Sequence, residues 1–314
     1  MEKEFNIIEN YFNKAVKDIP LGIGDDGALI EKDNKNFYIL SQDTLNVESH
    51  FLHDANPKNL GWKTLAVNVS DILAMGGNPK FALLSISIEK IKKPWLKNFS
   101  QGLFDCAKFY GVQLIGGDTS KGSLSFTLTI IGEVKKERAL KRNGANSDED
   151  IWITGDLGLA SLGLALQNNS ISLPSSVAKK SLSALHRPKP IKIDMSKINF
   201  LFTCAIDISD GLIPDIQHIL KSSQIGANIF CKNLPVPSWI KKNDNYDYAL
   251  YGGEDYQLIL TSAKNNQEKI KKIATKYNLK LSIIGATNKS KVLKLFDVNG
   301  KIIKKIKKGF THFA

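Results

Sequence analysis

Seven aspartates of one local kind stand out in this chain: Asp25, Asp26, Asp43, Asp71, Asp118, Asp207 and Asp210. All but Asp71 adjoin a glycine-bearing turn or close an apolar, strand-like run, as in Gly24-Asp25-Asp26-Gly27, Ser41-Gln42-Asp43-Thr44, Gly116-Gly117-Asp118-Thr119 and Ile206-Asp207-Ile208-Ser209-Asp210-Gly211. A single Gly-Asp pair is ordinary turn chemistry. Its repetition marks places where backbone must come close to a ligand. Hard carboxylate oxygens with no neighbouring His or Cys favour Mg²⁺ over zinc or copper, and Mg²⁺ is usually shared between a few carboxylates and the phosphates of a nucleotide. The chain has no G-x-x-x-x-G-K-[ST] and no protein-kinase signature, so phosphate charge would be met by metal ions rather than by a P-loop lysine.

The exception, Asp71, lies in the apolar stretch Lys63 to Gly77, which reads as a helix ended by Gly76-Gly77 and Pro79. Thr64, Asn68 and Asp71 recur at helical spacing and share one face. A carboxylate on a mostly buried helix is costly unless it is paired, hydrogen-bonded or metal-bound.

The elements that must position these acids follow in chain order. Residues 2–17 read as an amphipathic helix with Phe5, Ile8, Phe12 and Ala15 on one stripe. Gly22 to Gly27 fits G-x-G-x-x-G, yet a turn cluster and the strand Phe37–Leu40 follow where a dinucleotide site needs a helix, so it is a false positive. Strands are predicted over Phe81–Ile88, Val112–Ile115, Leu124–Val134, Ile151–Thr154 and Gln257–Thr261. Helices are predicted over Trp95–Tyr110, residues 159–168 and Leu212–Leu220. The composition shifts near Ala139 to Asp150, which divides the chain into residues 1–138 and 139–314.

Composition narrows the class. At 314 residues there is room for two cores. No apolar run is long enough for a membrane span, and the acidic N-terminus does not suit a signal or transit peptide. Cys106, Cys204 and Cys231 match no ligand spacing and read as buried hydrophobes of a reducing, cytoplasmic setting. The net charge of +12 invites a nucleic-acid reading, but the lysines are scattered and not interleaved with stacking aromatics. A solvated, lysine-rich surface is the better account.

The motifs L-G-I-G-D-D-G-A, S-Q-D-T-L, L-A-V-N-V-S-D-I-L-A-M-G-G, Q-L-I-G-G-D-T, A-L-K-R-N-G-A, A-I-D-I-S-D-G-L, Y-G-G-E-D-Y and G-F-T-H-F occur in this order. Together they resemble the thiamine-monophosphate kinases, relatives of aminoimidazole ribonucleotide synthetase, over essentially the whole chain. The resemblance implies an α/β (α+β) two-domain fold: an N-terminal ATP- and Mg-binding domain that dimerises through a shared β-barrel flanked by helices, and a C-terminal α/β domain completing the site. It implies a homodimer, with Mg²⁺ and ATP used to phosphorylate thiamine monophosphate in the last step of thiamine diphosphate synthesis. By motif position, Asp26, Ser41, Gln42, Asp43, Asp71, Asp118, Asp207 and Asp210 would surround several Mg²⁺ ions, Ser41 and Gln42 through backbone or hydroxyl oxygens. Gly117, Asp118, Arg142 and Ser209 would touch ATP, while His50, Glu254 and Phe310 would contact thiamine monophosphate. Phe310 stands where relatives often have Tyr, and Gln42 where Thr is common.

Three rivals were weighed. A selenophosphate synthetase would need a reactive cysteine in an N-terminal segment, and the first here is Cys106. A hydrogenase-maturation relative would carry a C-terminal cysteine where this chain has His312-Phe313-Ala314. A non-enzymatic nucleotide or nucleic-acid binder would tolerate loss of Asp71.

Overall fold

The computed structural model describes residues 7–13 and 18–307. Of the expected opening helix, the described part is a short π-helical stretch, Ile8–Phe12, with Phe12 largely exposed rather than on a buried stripe. Phe5 and Ala15, like Phe310, lie outside the described residues. The chain divides into two compact units. Among the described residues, one holds those up to Leu73 and Gly77–Glu137, and the other holds Ala74–Gly76 and residues 138–307.

The first unit is built on a five-stranded sheet ordered β1-β2-β5-β3-β4: β1 (Ala28–Glu31), β2 (Asn36–Asn46), β3 (Asn78–Ser87), β4 (Gln113–Ser120) and β5 (Ser125–Lys135). Only β3 and β4 run parallel, and α2 (Lys93–Tyr110) makes the crossover between them. The sheet is open, so the expected barrel does not close within the chain. β1 and β2 form an antiparallel hairpin directly after Gly27, which removes the helix that a dinucleotide fingerprint needs.

The helix α1 (Pro57–Ala74) is buried almost throughout, and Leu65, Val69, Ile72 and Leu73 are at most 1% exposed. Its end matches the stop signal in the sequence. Gly76 takes a left-handed φ of 74°, and the Gly77 N–H donates to the Ile72 carbonyl at 3.0 Å, closing a Schellman turn. α1 and α2 meet backbone to backbone at two glycines. A Cβ on Gly61 would stand 2.0 Å from the Phe99 carbonyl oxygen, and one on Gly102 would stand 1.8 Å from that of Lys58. Beside this contact Trp95, Phe99 and Phe126 stack in sequence, with the Phe99 and Phe126 ring centres 4.5 Å apart.

The second unit has a six-stranded sheet ordered β11-β8-β10-β6-β9-β7, from β6 (Glu149–Thr154), β7 (Cys204–Asp207), β8 (Gly226–Phe230), β9 (Leu258–Ala263), β10 (Leu281–Asn288) and β11 (Leu293–Phe296). β6 and β9 are buried on both faces, so their apolar centres, Ile151-Trp152-Ile153 and Leu258-Ile259-Leu260, do not alternate with polar residues. Helices α3 (Leu159–Gln167), α4 (Ser175–His186), α5 (Leu212–Ser223), α6 (Ser238–Lys242), α7 (Asp247–Leu250) and α8 (Gln267–Lys276) complete the unit. Its core joins Ile151, Ile153, Ile206, Ile216, Ile229, Ile259 and Ile284. No helix among the described residues is long and apolar enough to cross a membrane.

Candidate active site

Two of the acids occupy local structure different from that expected. Asp43 is not at a strand end, because β2 runs on to Asn46 in unbroken register with β5, where Asp43 faces Leu128. Asp118 likewise lies within β4, paired in parallel register with Ser85. The strand continues through Gly117 because glycine alone accepts its φ of 146° and leaves room for the Leu84 carbonyl oxygen, which a Cβ would meet at 1.8 Å.

In the first unit, α1 lies along β2 and meets it through side chains from the polar strip. Ser41 Oγ donates to Asp71 Oδ2 at 2.6 Å. One step further along the strand, the Asp43 N–H donates to Asn68 Oδ1 at 3.1 Å, while Asn68 Nδ2 donates to the Thr64 carbonyl. Beyond the strand end, the buried Lys63 directs its ammonium toward the His50 carbonyl at 3.5 Å. The row therefore passes from acids at Asp71 to a cation at Lys63, eight helical residues or about 12 Å away. Asp26, 8% exposed, belongs to the acid end, with a carboxylate oxygen within 4.8 Å of one from Asp71. The Asp26 N–H donates to Asp25 Oδ1 at 3.0 Å, which fixes the turn.

Alternation along β2 puts Ser41 and Asp43 toward α1 and Gln42 away from it. The Gln42 amide oxygen accepts from Thr129 Oγ1 at 2.7 Å, so the side chain is committed to the opposite face. His50 uses Nδ1 to accept from the Asn46 N–H at 3.1 Å, which leaves the proton on Nε2 and makes that edge a donor. Gly117 and Asp118 stand apart from this row. The strand order places β4 three strands from β2, about 14 Å across the sheet.

In the second unit, Asp207 closes β7 at 4% exposure, and Ser209 and Asp210 follow in the turn to α5. The turn is held from inside by Asp215, whose Oδ2 accepts from the Asp210 and Gly211 N–H groups at 3.2 and 3.1 Å. Burial, then the charges of Asp210 and Asp207, raises the Asp215 carboxyl well above the usual carboxylate range. Glu254 is tied to the same turn, its N–H donating to the Ser209 carbonyl at 2.8 Å. Arg142 is half-buried, with its carbonyl accepting from Ser223 Oγ at 2.9 Å. His218 is pushed down to about 4 by burial first, then by the charges of Arg142 and Lys221, so at neutral pH it adds no charge beside that guanidinium.

Asn68, Lys63 and Asp215 carry much of this arrangement, and of these the Thr64–Asp71 strip in the sequence points only to Asn68. Asp215 had a readable cue, an acid in the first turn of a helix that begins after Asp210-Gly211. Clustered carboxylates with hydroxyl and amide oxygens form a donor set that suits Mg²⁺.

Comparisons with known proteins give the family. Residues 24–134 match the AIR synthase related protein N-terminal domain, and residues 147–298 match its C-terminal domain. The chain is 42% identical to the thiamine-monophosphate kinase of Buchnera aphidicola subsp. Acyrthosiphon pisum, covering 99% of this chain and 98% of that one. It is 37% identical to the thiamine-monophosphate kinase of Escherichia coli K12 over the same shares. The solved structure of AaThiL complexed with AMPPCP and TMP superposes with a TM-score of 0.84 at 30% identity, covering 99% of this chain and 97% of that one. With both domains matched and the similarity running from end to end, the chain belongs to the thiamine-monophosphate kinase family.

Proposed function

We propose that this enzyme transfers the γ-phosphoryl group of ATP directly to thiamine monophosphate, giving thiamine diphosphate and ADP. The observation that carries the reading is the row along α1 and β2, in which Asp71, Ser41, Asn68 and Asp43 are interlocked beside Asp26. Asp26, Asp43 and Asp71, the backbone oxygens of Ser41 and Gln42, Asp118, and Asp207 and Asp210 of the second unit are the residues that would hold Mg²⁺. When bound, Mg²⁺ supplies charge neutralisation between two polyanions. Ser41 orients the Asp71 carboxylate, Asn68 fixes the strand at Asp43, and Asp215 fixes the turn bearing Asp210. Gly117, Asp118, Arg142 and Ser209 are assigned to ATP, and His50, Glu254 and Phe310 to thiamine monophosphate.

The acceptor oxygen needs no general base. The second pKa of a phosphate monoester is about 6, so the nucleophile is largely ionised at neutral pH. It attacks the γ-phosphorus as the bond to the β–γ bridging oxygen breaks, and ADP leaves with that electron pair. No phosphoenzyme is formed. The buried cysteines, none in a disulfide, and the use of ATP favour a cytoplasmic setting.

A homodimer is part of the same reading. β4 is an exposed sheet edge whose Ile115 is 54% exposed, beside Leu83 of β3 at 39%, the kind of strand that templates pairing. Incubation with ATP, Mg²⁺ and thiamine monophosphate tests the reaction. Thiamine diphosphate and ADP should appear in equal amounts, with no label kept on protein from γ-labelled ATP. Nucleotide binding without thiamine diphosphate would end the kinase reading.

A further inference from the structure

Between Tyr251 and Gln257 the backbone adopts a shape that side-chain-bearing residues rarely take. Glu254 has a φ of 68° and Tyr256 a φ of 48°, and the residue between them is Asp255, 6% exposed. Such a conformation persists only when its surroundings impose it. Four hydrogen bonds do so. Asp255 Oδ2 accepts from the Gly158 N–H at 2.7 Å, and Oδ1 accepts from the Ala160 N–H at 3.4 Å, so the carboxylate caps the first turn of α3. On either side, the Glu254 N–H donates to the Ser209 carbonyl and the Tyr256 N–H to the Ile208 carbonyl, both at 2.8 Å. The preceding glycines are equally confined: a Cβ on Gly253 would stand 2.2 Å from the Ser209 carbonyl oxygen, and one on Gly252 would stand 2.2 Å from Ser161 Oγ.

We propose that Asp255 is a positioning residue: by tethering this loop to the start of α3 it holds Glu254 in its left-handed conformation against the Ile208–Ser209 backbone. One rigid piece of chain then carries the acceptor-side carboxylate and the nucleotide-side turn together. The role of Glu254 toward thiamine monophosphate rests on the function proposed above.

The test is a double-mutant cycle with Glu254→Gln, read as KM for each substrate. Asp255→Ala should raise KM for thiamine monophosphate about tenfold while KM for ATP stays within about twofold. Asp255→Asn keeps an acceptor for the Gly158 N–H and should restore most of the loss. In the Glu254→Gln background, Asp255→Ala should add nothing further, because its effect passes through Glu254. Losses that add, or an unchanged KM, overturn the proposal. Hydrogen exchange on the unsubstituted protein gives a reading even if Asp255→Ala does not fold. The Glu254 and Tyr256 amides should be strongly protected, and exchange at open-loop rates would overturn the tether. A wild-type enzyme that makes no thiamine diphosphate defeats the kinase reading alone, since the exchange measurement still judges the tether.

Discussion

Asp71 and Asp26 place two carboxylate oxygens within 4.8 Å of each other, so each costs the other some of its ionisation energy until a cation arrives. Asp71→Asn should therefore lower turnover by at least about a hundredfold, while thermal stability in EDTA stays level or rises. Added Mg²⁺ should stabilise the wild type and not the variant, a difference that thermal unfolding reads directly. Asp255 gives a pH test. Its carboxyl is pushed up to about 7, by burial first, against the Gly158 and Ala160 hydrogen bonds that pull it down, with Asp156 and Glu254 adding repulsion. A folded-state value above the unfolded one means stability is present at low pH and is lost as pH rises toward about 7. Between pH 5 and 8 the wild type should lose on the order of 2 kcal/mol relative to Asp255→Asn in urea unfolding. Equal slopes would contradict the assignment. Asp26, Asp207 and Asp210 were legible from sequence as turn and strand-end acids because glycines and an apolar run announce them. Asp215 offered only its first-turn position and Asp255 no cue at all, because a buried acid that serves backbone N–H groups resembles any helix-start or turn acid until its partners are known.

Among the elements, the helix Pro57–Ala74 governs the first unit, and its seat depends on two glycines. Gly102→Ala would drive a methyl into the Lys58 backbone, a collision with no flexible side chain to yield. Destabilisation of about 2–3 kcal/mol is expected, measured by chemical unfolding, together with lost activity as α1 shifts against β2. Asn68→Ala should spare the fold better yet still cost activity, since it frees the strand only at Asp43. A variant as active as wild type would remove Asn68 from the positioning row. The course of this helix, its Gly76-Gly77 stop and the rejection of the G-x-G-x-x-G match were all readable from periodicity and turn chemistry. The lengths of β2 and β4 were not. Ser41-Gln42-Asp43-Thr44 and Gly116-Gly117-Asp118-Thr119 look like turns, and only long register with β5 and β3 keeps them extended.

For the molecule as a whole, function was legible in the order of many weak motifs rather than in any one of them. Dimerisation offers a test at this scale: Ile115→Lys should shift sedimentation toward the monomer and reduce activity, and a wild type already monomeric at micromolar concentration would refute the dimer. The three cysteines carry a practical consequence. Cys106, Cys204 and Cys231 are buried and in no disulfide, and the Cys231 thiol is pushed up to about 11 by burial and by Asp297, Asp244 and Asp247. Thiol-specific dyes should therefore ignore the native enzyme and label all three sites only after denaturation. A single cysteine engineered on the surface would then accept a fluorophore against a silent background, making the protein ready for distance measurements during turnover.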